Sequence, residues 1–265
     1  MGRMVQLPIS TIKEITEDYL IRVARGEVPG QSLVHKFGRN DSVPNGSWAF
    51  VTILGQTAHV LSAATTVRTK IGNAADDKDA GAGAREVTVQ GIVATTLAEE
   101  TDILLPDGAT ASAASAKSFW RVHRAWVSSC GTYGGANIGD VVIENGAGGT
   151  DILTIAAGEG QSQDAVFTVP ADTTGYLLSV HATVDSNKTT DIRCFTRNDI
   201  SNTTAPVPSK RLKLFWDGVE SPGFVYDPSS PELTLAGETD IWFEAQGDGA
   251  VSQVSIDFEL LLVDD

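Results

Sequence analysis

Cysteine is scarce in this chain: Cys130 and Cys194 are the two thiols among 265 residues. Two cysteines build no disulfide framework. Together with four histidines at unrelated positions (His35, His59, His123, His181) they match no zinc-ligand spacing. Both lie in or beside apolar, strand-like stretches, so buried free thiols are expected, with a single Cys130–Cys194 disulfide as the alternative. Long apolar runs are missing too, since none approaches the ~20 residues of a membrane span. The opening Met1-Gly2-Arg3-Met4-Val5-Gln6 lacks the apolar core of a secretion signal, and Gln6 stands where myristoylation wants Ser or Thr. The expectation is synthesis in a reducing cytoplasm without export. Positive charge is the third shortage: 19 Lys and Arg against 34 Asp and Glu give a net charge of −15. Such a surface repels phosphate backbones and anionic lipids, which argues against nucleic acid as a partner. The cationic clusters Lys117, Arg121, Arg124 and Lys210, Arg211, Lys213 read as solvated faces.

Catalytic signatures are equally thin. No Gly-x-Ser-x-Gly elbow surrounds Ser128 or Ser129. Gly131–Gly135 precedes a strand, whereas a phosphate cradle needs a helix N-terminus. Asp76, Asp77 and Asp79 superficially resemble a calcium loop but lack its central glycine and later glutamate, so they read as a solvated acidic loop. Nothing marks any two acids as a hydrolytic pair. No catalytic residue, metal or cofactor is therefore expected.

What the chain does have is strand text. Between Gly131 and Arg197, Gly-, Asn-, Asp- and Pro-rich turns separate Ile138–Glu144, Asp151–Ala156, Ala165–Val169, Tyr176–Val184 and Ile192–Arg197. Ala49–Leu54, Ala58–Leu61, Thr65–Ile71, Arg85–Val93, Phe119–Ser128, Leu212–Trp216, Leu233–Leu235, Asp240–Ala245 and Val251–Val263 extend the pattern, with Asp217–Pro231 as a long excursion. No fixed-period repeat is present, which argues against a propeller or solenoid. The predicted fold is mainly β, an antiparallel, jelly-roll-like sandwich with an N-terminal α-helix and extended arm. The helix is expected over residues 8–25, where Ile12, Ile15, Tyr19, Leu20 and Val23 share one face. That stripe must pack on the chain's own body or on another subunit. Residues 26–47 are read as an arm lying against a surface and anchored by Phe37. Residues 1–47 thus form an attachment or oligomerisation segment and 48–265 the body, divisible into two sub-sandwiches near residues 110–130.

The aromatic residues offer two readings. In Phe119–Ser128 both faces are partly apolar, which suits a central strand or one covered by a neighbouring subunit. Trp120 and Trp126 are then interface residues. Trp216 and Tyr226 could instead serve a carbohydrate-binding module as a glycan platform.

Two blocks carry a resemblance. The first is Val23-Ala24-Arg25-Gly26-Glu27-Val28-Pro29-Gly30 with His35-Lys36-Phe37-Gly38-Arg39-Asn40. The second joins Ala80–Gly91 to Gly158-Glu159-Gly160-Gln161-Ser162-Gln163 and Val169–Tyr176. Together they resemble a group of tailed-bacteriophage virion proteins from aquatic and marine phages, over about residues 20–200. The resemblance implies a non-enzymatic particle component, an oligomeric fibre, spike or decoration of head, neck or tail. Its implied partners are copies of itself, with threefold symmetry as the first expectation, and other virion proteins. A host glycan belongs to the alternative reading. The implied location is the virion, after synthesis in the host cytoplasm.

Overall fold

The computed structural model describes residues 18–53, 61–70, 74–108, 110–228 and 233–265. Helix α1 (Tyr19–Ala24) opens on Asp18, whose side chain accepts the Leu20 N–H and so satisfies one free donor of the first turn. Sixteen strands follow among the described residues. In the first half they are β1 (Gln31–Val43), β2 (Ala49–Phe50), β3 (Val67–Thr69), β4 (Ala84–Val93), β5 (Glu99–Leu104), β6 (Phe119–Cys130), β7 (Val141–Asn145) and β8 (Asp151–Ile155). In the second they are β9 (Val166–Thr168), β10 (Thr173–Val184), β11 (Thr189–Arg197), β12 (Arg211–Glu220), β13 (Phe224–Tyr226), β14 (Thr234–Leu235), β15 (Asp240–Asp248) and β16 (Ser252–Asp264).

The protein is mainly β, and every ladder between these strands is antiparallel. One sheet runs β1-β16-β10-β13, with β14 beside β10; a second runs β12-β11-β15-β2, with β9 beside β15. The third is β3-β7-β8 and the fourth β5-β4-β6. Four sheets make a four-bladed, propeller-like count, which the lack of a sequence repeat argued against. The buried side chains group the sheets in pairs. Leu177, Val180 and Phe258 of the first sheet share a cluster with Ile192, Ile241 and Phe243 of the second, and the Phe243 and Phe258 rings lie 5.2 Å apart. Ile143 and Ile155 of the third share another with Val87, Val89, Phe119 and Val122 of the fourth. Strand β16 shows how alternation specifies this: Val254, Ile256, Phe258 and Leu260 are buried while Gln253 and Glu259 are exposed. Each such burial contributes about 1.5–3 kcal/mol.

Several expectations change. Residues 26–47 are no arm: β1 pairs with β16 from Gln31↔Val263 to Val43↔Ser252. The pattern hid this because its mid-strand inward positions are Lys36, Gly38 and Asn40, with the apolar Val43 buried only at its end. Gly38 is required by close approach, since a Cβ there would meet the Ala165 nitrogen at 2.1 Å and the Val51 oxygen at 2.4 Å. The two cores do not divide near 110–130. Strands β3–β8 build one core and β1 and β9–β16 the other, with Phe50 of β2 joining Val166, Phe195 and Trp242 in a small third cluster, so the chain crosses after Val51 and again before Ala165. The run from Gly131 to Arg197 is therefore split, with β7 and β8 in one core and β9–β11 in the other. Strand β5 lies where no strand was expected, because Glu99-Glu100-Thr101-Asp102 is poor strand text.

Candidate functional site

The charged residues that matter lie where the two cores meet. Strand β6 places Phe119, Val122 and Ala125 in its own core. A register shift between Gln90 and Gly91 lets its neighbours Arg121 and His123 be buried as well, toward the other core. Arg121 is 1% exposed and Asp240, on β15, is 0% exposed. The Arg121 Nε and Nη2 reach the two Asp240 oxygens at 3.0 Å each, while Nη1 donates to the carbonyls of Leu61 at 3.1 Å and Trp120 at 2.6 Å. Asp240 also accepts the Thr168 hydroxyl at 2.8 Å and the Arg197 guanidinium at 3.3 Å. A buried pair is tolerated only when its remaining polar atoms are matched, as they are here. The expected solvated face therefore dissolves: Arg121 is a buried tie between the cores.

A second cluster sits beside a cleft of about 240 Å³ bordered by β1, β5 and β6. Lys36 is buried and donates its amine to the His123 carbonyl. The buried His123 ring lies 4.7 Å from Phe167, and its Nε2 is 2.6 Å from a Glu99 oxygen. Arg124 donates to the His35 carbonyl at 2.6 Å, and Asp164 is buried just before β9. Burial holds Lys36 down to about 7, helped by Arg124 and opposed by Asp164 and Glu99. Burial pushes Asp164 up to about 6, opposed by Lys36 and by a hydrogen bond from Ser162. Burial would raise Glu99 too, but the hydrogen bond and charge of His123, with Lys36 and Arg124, hold it below the usual carboxylate range. Burial lowers His123 by more than Glu99 raises it, with Lys36 and Arg124 adding to the lowering.

These shifts fix a pH dependence. Lys36 has a folded value below the 10.5 of the free side chain, so between about pH 7 and 10.5 the unfolded chain binds more protons and stability rises with pH. Asp164 has a folded value above 3.8, so stability falls as pH rises from 3.8 to about 6. The urea midpoint should therefore pass through a minimum near neutrality. Lys36→Met should flatten the alkaline rise, and a wild-type midpoint unchanged between pH 7 and pH 10 would contradict the assignment.

The cluster can couple charges; it holds no hydroxyl or thiol at its centre, and its one amine, that of Lys36, is engaged by the His123 carbonyl. Cys194 is buried with its thiol pushed up by burial, and Cys130 is a free thiol donating to the Thr132 carbonyl. Among the described residues no group of three or more His, Cys, Asp or Glu side chains is placed to hold a metal ion. Asp77 departs from the solvated-loop expectation: it is fully buried and accepts the N–H groups of Ala84, Ile138 and Gly139.

The predicted contact residues scatter. Ile12 and Ile15 lie outside the described residues. In α1 Val23 is buried against the body, whereas Tyr19 is 47% and Leu20 37% exposed. Phe37 is partly buried beside the His35 ring. Trp120 and Trp126 are partly buried, and Trp126 bridges through its backbone to Gln161 of the same chain. Trp216 and Tyr226 do meet, 5.8 Å apart, but at 65° to one another. With Phe224 they pack on the edge of the first core and form no flat platform. Sequence reasoning missed Lys36, Glu99 and Asp240. Their only signal was a charged residue within or beside strand text, which does not reveal partners that lie 87, 24 and 119 residues away in the chain.

The described residues thus define a mainly β protein of antiparallel sheets tied by buried ion pairs. No known protein family matches the chain, and no curated protein does. The crystal structure of the infectious bursal disease virus VP2 subviral particle aligns over 92% of this chain and 82% of that one at 9% identity, with a TM-score of 0.18. A mutant VP2 protein of that virus, derived as T=1 particles, aligns over 94% and 79% at 10% identity, with a TM-score of 0.16. Similarity this slight carries no argument about the present chain.

Proposed function

We propose that this protein is a non-enzymatic, self-associating structural component of a bacteriophage particle, a fibre, spike or decoration subunit. The phage assignment draws on the sequence resemblance. The structural role is supported by one observation above others: apolar side chains lie exposed on open strand edges, with Leu212 53% and Phe215 48% exposed on β12 and Ile103 55% exposed on β5. Among the described residues, Arg121 with Asp240 and His123 Nε2 with Glu99 are closed into pairs inside the body, while His123 Nδ1 and Asp164 Oδ2 are buried without a hydrogen-bond partner. In this reading the paired sheets are two sandwiches, jelly-roll-like in packing. A propeller's blades are successive meanders about a channel, whereas strand orders such as β1-β16-β10 join distant parts of the chain. Attachment to the particle falls to the segment ahead of β1, because β1 itself belongs to the body.

Light scattering at two protein concentrations tests the reading. A stable oligomer is expected, and a monomer at the highest soluble concentration would overturn it. Removing residues 1–26 should spare both cores while abolishing incorporation into particles; incorporation at the wild-type level would refute the attachment role.

A further inference from the structure

Four strands of six or more residues lie at sheet edges: β1, β5, β6 and β12. Two of them are closed within the chain. On β1, the His35 carbonyl accepts Arg124 and the Arg39 N–H donates to Gln163. On β6, the Val127 N–H donates to Gly160 and the Ala125 carbonyl accepts Ser162. Among the described residues β5 and β12 remain, each laddered on one side only, with β4 and β11 respectively, and β5 touched at Thr101 by the Lys117 side chain without a backbone partner.

The two open edges carry opposite charge. The first half of β12 and the residue before it hold Lys210, Arg211 and Lys213 around exposed Leu212, in a chain of net charge −15. Lys210 is balanced in part by Glu244 at 3.6 Å, and the acids Asp217 and Glu220 lie in the strand's far half. Strand β5 holds Glu99, Glu100 and Asp102 ahead of exposed Ile103 and Leu105. Glu99 faces the cluster of His123, Lys36 and Arg124, and on the open side Lys117 pairs Glu100 at 2.9 Å and donates to the Thr101 carbonyl at 2.7 Å. Charge on an open edge suppresses pairing with an identical edge. Here β12 repels β12 and β5 repels β5, while β12 and β5 attract and each offers apolar side chains and unpaired backbone groups.

We propose that one copy of this chain docks the basic half of β12 along the β5 edge of a second copy, joining sheets head to tail. Such a heterologous contact generates a ring if its rotation closes and a filament if it does not. The inference rests on the self-associating structural reading above.

Charge exchange tests it. Arg211→Glu with Lys213→Glu makes both edges acidic, and Glu100→Lys with Asp102→Lys makes both basic. Each double variant alone should be monomeric by light scattering, and an equimolar mixture should regain the wild-type mass. Raising sodium chloride from low to high concentration should weaken wild-type association about tenfold. Near-ultraviolet circular dichroism establishes that the variants are folded. A mixture that stays monomeric, variants that keep the wild-type mass, or salt-insensitive association would each overturn the β12–β5 contact. If the wild type is oligomeric throughout such results, the structural reading stands without it; a monomeric wild type removes both.

Discussion

Arg121→Ala should destabilise the protein by about 3–5 kcal/mol, the usual cost of stripping one partner from a buried ion pair. The size follows from what is left behind. Asp240, 0% exposed, would keep only Thr168 and the more distant Arg197, while the carbonyls of Leu61 and Trp120 would lose their donor. Replacing the pair by apolar side chains, Arg121→Met with Asp240→Leu, is often neutral for buried pairs in general. Here it should still cost about 2 kcal/mol, because the buried Leu61 carbonyl and Thr168 hydroxyl stay unmatched at about 1 kcal/mol each, the low end for a stranded group, while the part-buried Trp120 carbonyl can reach water. Arg121→Lys should recover little, since an ammonium cannot fork to one carboxylate and two carbonyls at once. Urea unfolding reads these values. Because the pair joins the two cores, Arg121→Ala should also lower the cooperativity of the transition. A loss below about 1 kcal/mol with the slope unchanged would show that the tie is redundant.

The same residue shows how far the sequence could be read. Arg121 and His123 were visible as charged side chains within an apolar strand, and a strand buried on both faces was expected of Phe119–Ser128. The pattern allows a central strand or one covered by another subunit, and what meets Arg121 is the other core of the same chain, brought there by β15, whose Asp240 lies 119 residues on. Alternation reports that a face is buried and is silent on what covers it. Where burial follows apolar alternation, as in β4, β10 and β16, strands stand close to where the residues put them. In β1 the buried face is Lys36, Gly38 and Asn40, because that face meets backbone and a buried cluster in place of side-chain oil. In β5 the acids form a strand because β4 supplies a ladder, a tertiary effect that outweighs local preference. The helix stripe was legible only in part, with Val23 buried and Tyr19 left outside.

Asp77→Ala should cost about as much as Arg121→Ala, although Asp77 belongs to a loop that reads as solvated acid. Its carboxylate accepts the N–H of Ala84 at 2.8 Å, of Ile138 at 2.9 Å and of Gly139 at 2.8 Å. It thereby ties its own turn to the start of β4 and to the segment entering β7. An alanine leaves three donors without an acceptor, and each buried donor so stranded costs about 1–3 kcal/mol. Water entering the vacated space offsets part of that, so the net loss should be about 3–5 kcal/mol. Asp77→Asn keeps one carbonyl oxygen but turns an amide N–H₂ toward a donor, and should lose about half as much. Asp76→Ala and Asp79→Ala are the controls: both side chains are exposed, and each should change stability by less than about 0.5 kcal/mol. Calcium should leave the unfolding midpoint of the wild type unmoved, because the one buried carboxylate of the loop is already occupied by backbone donors. Equal losses at positions 76, 77 and 79, or a calcium-dependent midpoint, would return the loop to an ion-binding role and remove Asp77 as the clasp of the second core.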